Sequence, residues 1–333
     1  LRTAPEYATI SIVVISRTPY RISFFGGGSD FPEHFRKHGG QVLSMAIDKY
    51  SYVMVRKVPP LGKTKYRIRY SQIENVEEIN DIKHPSVRAC FRDLGWDMPC
   101  TLTHDGDLPA RSGIGSSSAF TVGLLNTLYG IRETPVGPQE LAGRAIRIER
   151  ELIGETVGCQ DQTAAAYGGL NVIKFRENGR IELEGILLRN QSFFDNILLL
   201  FTGFTRIAQT IEKDKLRRNS TSALCELASM VPSARYCLMQ EDYESLGKYL
   251  NDAWLIKKKL SPLVSNDAID GIIATALNNG AWGAKLCGAG GGGFLMLLTP
   301  PSAHSRLIKV FPKFEPIRVG LDHEGSHIIY AAS

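Results

Sequence analysis

Cysteine is sparse in this 333-residue chain: six residues, scattered, with no Cys-x-x-C pair and no histidine at zinc-ligand spacing. That excludes zinc modules and dithiol redox motifs, and free thiols in a cytoplasmic protein are expected. Long apolar runs are missing too; none approaches the roughly 18–20 residues that span a bilayer, so no membrane association is expected. No cationic-then-apolar leader opens the chain, and residues 1–9 read as a loose tail. Neither sign of charge dominates, since the net charge is only +5. Nucleic-acid binding calls for a basic stripe interleaved with aromatics. The densest basic cluster, Lys57, Lys63, Lys65, Arg67 and Arg69, instead alternates like the solvated face of a strand. No nucleic-acid partner is expected.

Two familiar nucleotide signatures are also absent. A P-loop needs Gly-x4-Gly-Lys-Ser/Thr, and Gly62-Lys63-Thr64 fails because Lys57 occupies the first glycine position. Neither His-Arg-Asp nor Asp-Phe-Gly occurs, which excludes a protein kinase. Gly288-Ala-Gly290-Gly-Gly-Gly293 satisfies G-x-G-x-x-G, yet Phe294-Leu-Met-Leu-Leu298 reads as a buried strand where a dinucleotide site needs a helix.

What the chain does contain is a dense glycine–serine loop, Pro109-Ala-Arg111-Ser112-Gly113-Ile114-Gly115-Ser116-Ser117-Ser118-Ala119. It runs into a helix whose Phe120, Leu124, Leu125 and Leu128 share one face. Free N–H groups and the positive end of the helix dipole make such a junction an anion site. A single serine there would be an ordinary cap. Six glycines and serines within the seven positions 112–118 favour phosphate binding.

Hydrophobic residues make up 43% of the chain and charged ones 22%, enough for two domains with a substantial core. Periodicity predicts strands at 9–16, 51–57 and 64–70, helices at 84–94, 117–130 and 138–153, and a strand at 170–175. Strands follow at 181–188 and 196–201, then helices at 205–230, 232–248, 250–260 and 265–279. Strands at 282–287 and 294–298, a helix at 301–310 and a strand at 325–330 close the chain. The chain divides near residue 190, giving domains 10–190 and 191–333.

Two carboxylates invite functional and structural readings alike. Glu149 lies at the edge of the apolar face formed by Leu141, Ala145, Ile148 and Leu152, where pairing with Arg144, Arg147 or Arg150 is the simpler role. Asp161, before Gln-Thr-Ala-Ala-Ala, reads locally as a helix N-cap.

Three motifs in order resemble the GHMP kinases: Arg17-Thr-Pro-Tyr-Arg21-Ile-Ser-Phe-Phe-Gly26-Gly27-Gly28-Ser29-Asp30, the loop 109–119, and Lys285-Leu-Cys-Gly288-Ala-Gly290-Gly291-Gly-Gly293. The first motif, with His38-Gly-Gly-Gln-Val-Leu-Ser44, Ile47-Asp-Lys-Tyr50 and Trp254-x2-Lys257-Lys258-x-Leu260-Ser261, is similar to the D-glycero-D-manno-heptose 7-phosphate kinases as a group. Fucokinases share part of the pattern.

This resemblance implies an α+β fold, with an N-terminal domain of the ribosomal protein S5 domain 2-like type, a ferredoxin-like C-terminal domain and a site between them. It implies ATP and Mg²⁺ as cofactors and a small-molecule sugar or sugar phosphate as substrate, in a monomer or homodimer. The product would be a 1,7-bisphosphate feeding nucleotide-activated heptose synthesis. Pro109, Arg111, Ser112, Gly113, Ile114, Gly115, Ser116, Ser117 and Ser118 would hold ATP, and Ser117 with Glu149 the metal. Asp161 would sit beside the attacking hydroxyl, as base or as orienting group, with Arg21 as its cationic companion.

Sugar contacts would come from Arg17, Gly27, Gly28, Ser29 and Asp30, and from Gly288, Gly290 and Gly291. Arg111, Arg206, Lys257 and Lys258 are candidates for a sugar phosphate. The chain departs from galactokinase, whose Gly-Glu-His-Thr-Asp is Gly26-Gly-Gly-Ser-Asp30 here, which opens space for a larger sugar. An anomeric kinase of an unphosphorylated sugar and a non-catalytic sugar sensor remain as alternatives.

Overall fold

The computed structural model describes residues 12–59, 63–203, 208–218 and 220–332. Strand β1 (Val13–Phe25), helix α1 (Pro32–His38) and strand β2 (Gly40–Lys57) come first, so the first motif is strand as far as Phe25. Strands β3 (Tyr66–Arg69) and β4 (Ile73–Val76), helix α2 (Pro85–Asp93) and strand β5 (Cys100–Gly106) lead to the serine loop. Helices α3 (Ser116–Ile131) and α4 (Pro138–Arg147) follow, then a π-helical turn at Ile148–Ile153, helix α5 (Gln160–Tyr167) and the hairpin β6 (Leu170–Phe175) and β7 (Ile181–Gly185).

Beyond these lie α6 (Ser192–Asp195), β8 (Ile197–Phe201), α7 (Ala208–Arg217), α8 (Thr221–Ser229), α9 (Val231–Met239), α10 (Tyr243–Lys259) and α11 (Asp267–Asn278). Strands β9 (Gly283–Leu286) and β10 (Phe294–Leu298), helix α12 (Pro301–Val310) and strands β11 (Pro316–Ile317) and β12 (His327–Ala332) complete the order. The continuous helix expected at 205–230 is therefore at least two helices. Asn266 caps α11, its side chain accepting from the Ile269 N–H at 3.0 Å.

Two sheets organise the chain. The larger runs β12-β1-β2-β5-β3-β4. Strand β2 is long enough to pair with β5 through Ser51–Lys57 and with β6 through Gly40–Met45. The smaller, fully antiparallel sheet runs β11-β8-β10-β9. Because β12 returns to pair with β1, a single cut near 190 does not separate the sheets: the last strand belongs with the first.

Both faces of the smaller sheet are buried, which explains its unbroken apolar strands. Leu198 and Leu200 of β8 and Leu295 and Leu297 of β10 pack with Trp254, Ile269 and Leu307. Their alternating neighbours Ile197, Leu199, Phe294, Met296 and Leu298 join the main core, as the two-residue period of a strand requires.

Helix α3 is buried on almost its whole circumference from Ser118 to Tyr129, not on the single face expected. It lies between β1 and β2 on one side and α5, α4 and α2 on the other. A Cβ at Gly123 would come within 2.7 Å of Thr18 Oγ1, so glycine sets how closely α3 approaches β1. The phosphate-type loop is thereby fixed on a rigid, central helix.

Candidate active site

Strand β12 covers β1 only from Val13 to Arg17. Beyond that point the edge of β1 is open, and the Arg21 N–H donates to the Ile114 carbonyl of the serine loop at 3.0 Å. The pairing of β1 with β2 shifts register between Pro19 and Tyr20, just before this residue, as a proline inside a strand demands. The Arg21 guanidinium is almost fully buried. It donates from Nη1 to the Gly113 carbonyl at 2.9 Å, and from Nε and Nη2 to Asp161 Oδ1 and Oδ2 at 2.7 and 2.6 Å. Fork-to-fork pairs of this kind fix orientation as well as charge.

Asp161 is not the N-cap that its local sequence suggests. Helix α5 starts at Gln160 with Cys159 at the cap position, so Asp161 lies in the first turn and its side chain is free to face Arg21. The carboxylate remains 25% exposed. A Cβ built on Gly115 would lie 3.5 Å from Asp161 Oδ2. The carboxylate therefore stands open to solvent at the mouth of the loop that leads into α3.

Gly115 caps α3 in the left-handed conformation, φ 74°, and Gly113 has φ 87°. A side chain at Gly113 would drive its Cβ to 2.5 Å from the Cys287 carbonyl oxygen. Ser112 is buried and holds the loop from within, its hydroxyl donating to the Pro109 carbonyl at 2.5 Å and its own carbonyl accepting from the Phe294 N–H at 3.0 Å. Ser116 Oγ accepts from the Arg111 N–H at 3.2 Å. The first-turn N–H groups of α3 have no acceptor within the helix, and they open beside Asp161.

Glu149 is fully buried, neither at the edge of a face nor paired with arginine. The π-helical turn that replaces the last turn of the expected helix rotates it inward. Its Oε2 accepts from Ser118 Oγ at 2.8 Å and Gln162 Nε2 at 2.5 Å; Oε1 makes no such hydrogen bond among the described residues, although the Thr121 hydroxyl is close enough to favour the ionised form. Burial, and then Glu155, push its carboxyl up to about 7. The serine meeting this carboxylate is Ser118; Ser117, the residue expected there, is exposed. A buried carboxylate beside serine and threonine hydroxyls below the loop has the hard-oxygen chemistry that Mg²⁺ takes.

The first motif closes around Asp30, which is 1% exposed. Its oxygens accept from the Gly28 N–H at 2.9 Å and from the Gln160 N–H and Nε2, each at 3.1 Å. In this arrangement Asp30 ties the glycine turn to the start of α5, one residue from Asp161, instead of facing open space as a sugar contact would. Burial, and then Asp161, raise it to about 6. Ser29 is likewise buried, its hydroxyl donating to the Gly26 carbonyl at 2.8 Å. Gly27 and Gly28 are partly exposed, and a Cβ on Gly28 would meet Leu224 Cδ2 of α8 at 2.8 Å.

The third motif packs backbone to backbone on the second: a Cβ at Gly288 would lie 2.5 Å from Gly113 Cα. Gly290 and Gly291 pack on the connection between α10 and α11, the Gly291 N–H donating to the Val264 carbonyl at 2.8 Å. Lys257 is not a surface phosphate contact. Its ammonium is buried and donates to the Gly288 and Leu286 carbonyls. Lys258 pairs with Asp270 at 3.0 Å. Arg17 sits over the Tyr50 ring and pairs with Glu324 at 3.1 Å, well along β1 from Arg21. Arg111 is exposed with φ 60°, and Arg206 lies outside the described residues.

Four contributors were not singled out from the sequence. Gln160 and Gln162 flank Asp161 and hold Asp30 and Glu149; their Gln-Asp-Gln placement was the available signal. Lys285 anchors the third motif to the first, donating to the Ser23 and Phe24 carbonyls at 2.9 and 2.7 Å. Lys215 reaches the third motif from α7 and gave no signal at all. A separate cleft of about 870 Å³, lined by His34, Gln41, Arg176 and Cys225 among others, contains none of the residues around Asp161 or Glu149.

A serine loop on a buried helix, an arginine-held aspartate at its mouth and two flanking glycine motifs make a phosphoryl-transfer constellation. Residues 82–169 match the model of the GHMP kinases N terminal domain, and residues 234–314 that of the GHMP kinases C terminal domain. The D-glycero-alpha-D-manno-heptose 7-phosphate kinase of Campylobacter jejuni is 30% identical over 315 residues, covering 90% of this chain and 93% of that one. The chain belongs to the GHMP kinase family.

This GHMP kinase is also similar to a plant protein, the bifunctional fucokinase/GDP-fucose pyrophosphorylase of Arabidopsis thaliana. The identity there is 25% over 327 residues, 87% of this chain but 30% of that much longer one. Its fold is that of a D-glycero-D-manno-heptose 1-phosphate kinase from Bacteroides thetaiotaomicron, with a TM-score of 0.78 at 22% identity, covering 95% of this chain and 99% of that chain. The α+β two-domain architecture is thus that of the family, and the chain is a kinase that uses ATP. Among the described residues no helix is long and apolar enough to cross a membrane.

Proposed function

We propose that this GHMP kinase transfers the γ-phosphoryl group of ATP to the anomeric hydroxyl of D-glycero-D-manno-heptose 7-phosphate, giving the 1,7-bisphosphate and ADP. The observation that carries the chemistry is the Arg21–Asp161 pair, 2.6 Å at its shorter contact, at the mouth of the serine loop. The near full-length similarity to the Campylobacter jejuni heptose 7-phosphate kinase supports the sugar.

The roles follow from placement. Backbone N–H groups at the start of α3 hold phosphate oxygens. Asp161 orients the attacking hydroxyl and takes its proton, while Arg21 fixes that carboxylate and offsets charge as the phosphoryl group moves. Ser118 and Glu149 would hold Mg²⁺, which when bound neutralises phosphate charge. Gly27, Gly28 and the third-motif glycines leave room for backbone to approach the sugar.

A second reading, an anomeric kinase of an unphosphorylated sugar such as fucose, is favoured by one observation. Lys257 and Lys258 are both engaged within the protein, so neither offers a free ammonium to a sugar phosphate. Coupled ADP release across heptose 7-phosphate, free heptose, fucose and galactose separates the two. The first reading requires the highest kcat/KM with heptose 7-phosphate; a preference for an unphosphorylated sugar establishes the second.

A further inference from the structure

Three lysines converge on the third glycine motif from three elements. Lys285 on β9 donates to the ends of β1 at Ser23 and Phe24. Lys257 on α10 donates to the Leu286 and Gly288 carbonyls. Lys215 on α7 donates to the Ala289 carbonyl at 2.8 Å and to Glu212 Oε1 at 2.9 Å. Among the described residues Lys257 and Lys285 make no ion pair, so Glu212 is the sole carboxylate in direct contact with this cluster. Burial, and then the neighbouring charges of Lys285 and Lys215, hold Lys257 well below the usual lysine range. That leaves Lys215, the one of the three with a carboxylate partner, as the ammonium most firmly held in its charged form.

The motif that the cluster surrounds adjoins both of the others. Glu212 lies close enough to Asp30 of the first motif to raise that carboxyl further, and Gly288 lies against Gly113 of the serine loop. Of the three ammonium groups, those of Lys257 and Lys285 are spent on backbone carbonyls that hold the motif together. Lys215 differs because its carboxylate partner sits one helical turn away on the same helix, in a pair whose side chains are 11% and 15% exposed. Of the three ammonium groups it alone is held by a carboxylate, an anionic partner that a substrate phosphate can replace with charge-assisted hydrogen bonds of the same kind.

We propose that Lys215 is the specificity-determining residue that grips the phosphate of a phosphorylated sugar, exchanging its ion pair with Glu212 for one with the substrate. This rests on the phosphorylated-sugar reading above. It also accounts for a phosphate contact when Lys257 and Lys258 are committed elsewhere.

The test is the ratio of kcat/KM for heptose 7-phosphate to that for free heptose, in wild type, Lys215→Met and Glu212→Gln, with folding checked by thermal melting. Wild type is expected to favour the phosphorylated sugar, and Lys215→Met to reduce that ratio by at least about tenfold. Glu212→Gln removes the competing carboxylate and is expected to lower KM for the phosphorylated sugar about two- to fivefold. A wild-type preference that survives intact in Lys215→Met overturns the role of Lys215 and leaves the phosphorylated-sugar reading standing. Absence of any preference in wild type overturns both. If Lys215→Met does not fold, Glu212→Gln decides, since an unchanged or raised KM for heptose 7-phosphate in that variant contradicts the exchange.

Discussion

Arg21 holds Asp161 through two parallel hydrogen bonds, 2.7 and 2.6 Å, with the arginine buried and the aspartate partly open to solvent. One end of the pair is fixed by the serine loop, and on the proposed function the other receives the attacking hydroxyl. Removing the carboxylate in Asp161→Asn is expected to lower kcat by at least about a hundredfold. Arg21→Lys keeps the charge but cannot form the fork, and is expected to lower kcat by about tenfold or more. Steady-state kinetics on variants with native melting behaviour check both, and near-wild-type turnover in Asp161→Asn would remove this residue from the chemistry.

The metal prediction distinguishes two adjacent serines. Ser118 touches Glu149 at 2.8 Å, whereas Ser117 is exposed. Ser118→Ala and Glu149→Gln are expected to raise the Mg²⁺ concentration for half-maximal activity by about tenfold or more, because each removes a hard oxygen ligand or its charge. Ser117→Ala is expected to shift it far less. A Mg²⁺ titration in which Ser117→Ala behaves like Glu149→Gln would move the ligand back by one position.

Glycine positions separate conformational need from empty space. A Cβ at Gly113 would sit 2.5 Å from a backbone oxygen, at φ 87°. Gly113→Ala is therefore expected to lower stability by about 2–4 kcal/mol and to weaken ATP binding. Gly143 lies within α4 with nothing near its missing Cβ, and Gly143→Ala is expected to stabilise by about 0.5–1 kcal/mol. Chemical denaturation of the two variants measures both signs.

Asp30 makes stability depend on pH. Burial raises its folded pKa to about 6, well above the ordinary aspartate value, so the folded protein binds the extra proton between those values. The associated stabilisation is complete below the unfolded pKa and is lost as pH rises through about 6. Relative to Asp30→Asn, wild type should lose on the order of 2–3 kcal/mol between pH 4 and 6.5. Parallel slopes of stability against pH for the two proteins would show that Asp30 does not titrate in this window.

Much of the site could be read from the sequence because glycine and serine carry it. The three motifs, the helix after the serine loop and the buried strand after Gly293 follow from local composition and period. Glu149 could not be placed, since periodicity assumes an unbroken α-helix and the π-helical turn at Ile148–Ile153 rotates the residue inward. Asp30 reads as a loop residue because its partner Gln160 lies far along the chain. Lys215 sits on a helix rich in charge, where one lysine looks like any other until the fold brings Ala289 against it. The pairing of β12 with β1 is equally non-local, and no stretch of sequence announces it.

The most direct measurement of the central claim is phosphorus NMR of the product formed from ATP and D-glycero-D-manno-heptose 7-phosphate. The account predicts one new sugar-phosphate resonance coupled to the anomeric proton, with the original 7-phosphate resonance retained and ADP formed in equal amount. Asp161→Asn should give no such resonance on the same time scale. ADP formed without an anomeric phosphate, or a phosphate placed on another hydroxyl, would contradict the assignment.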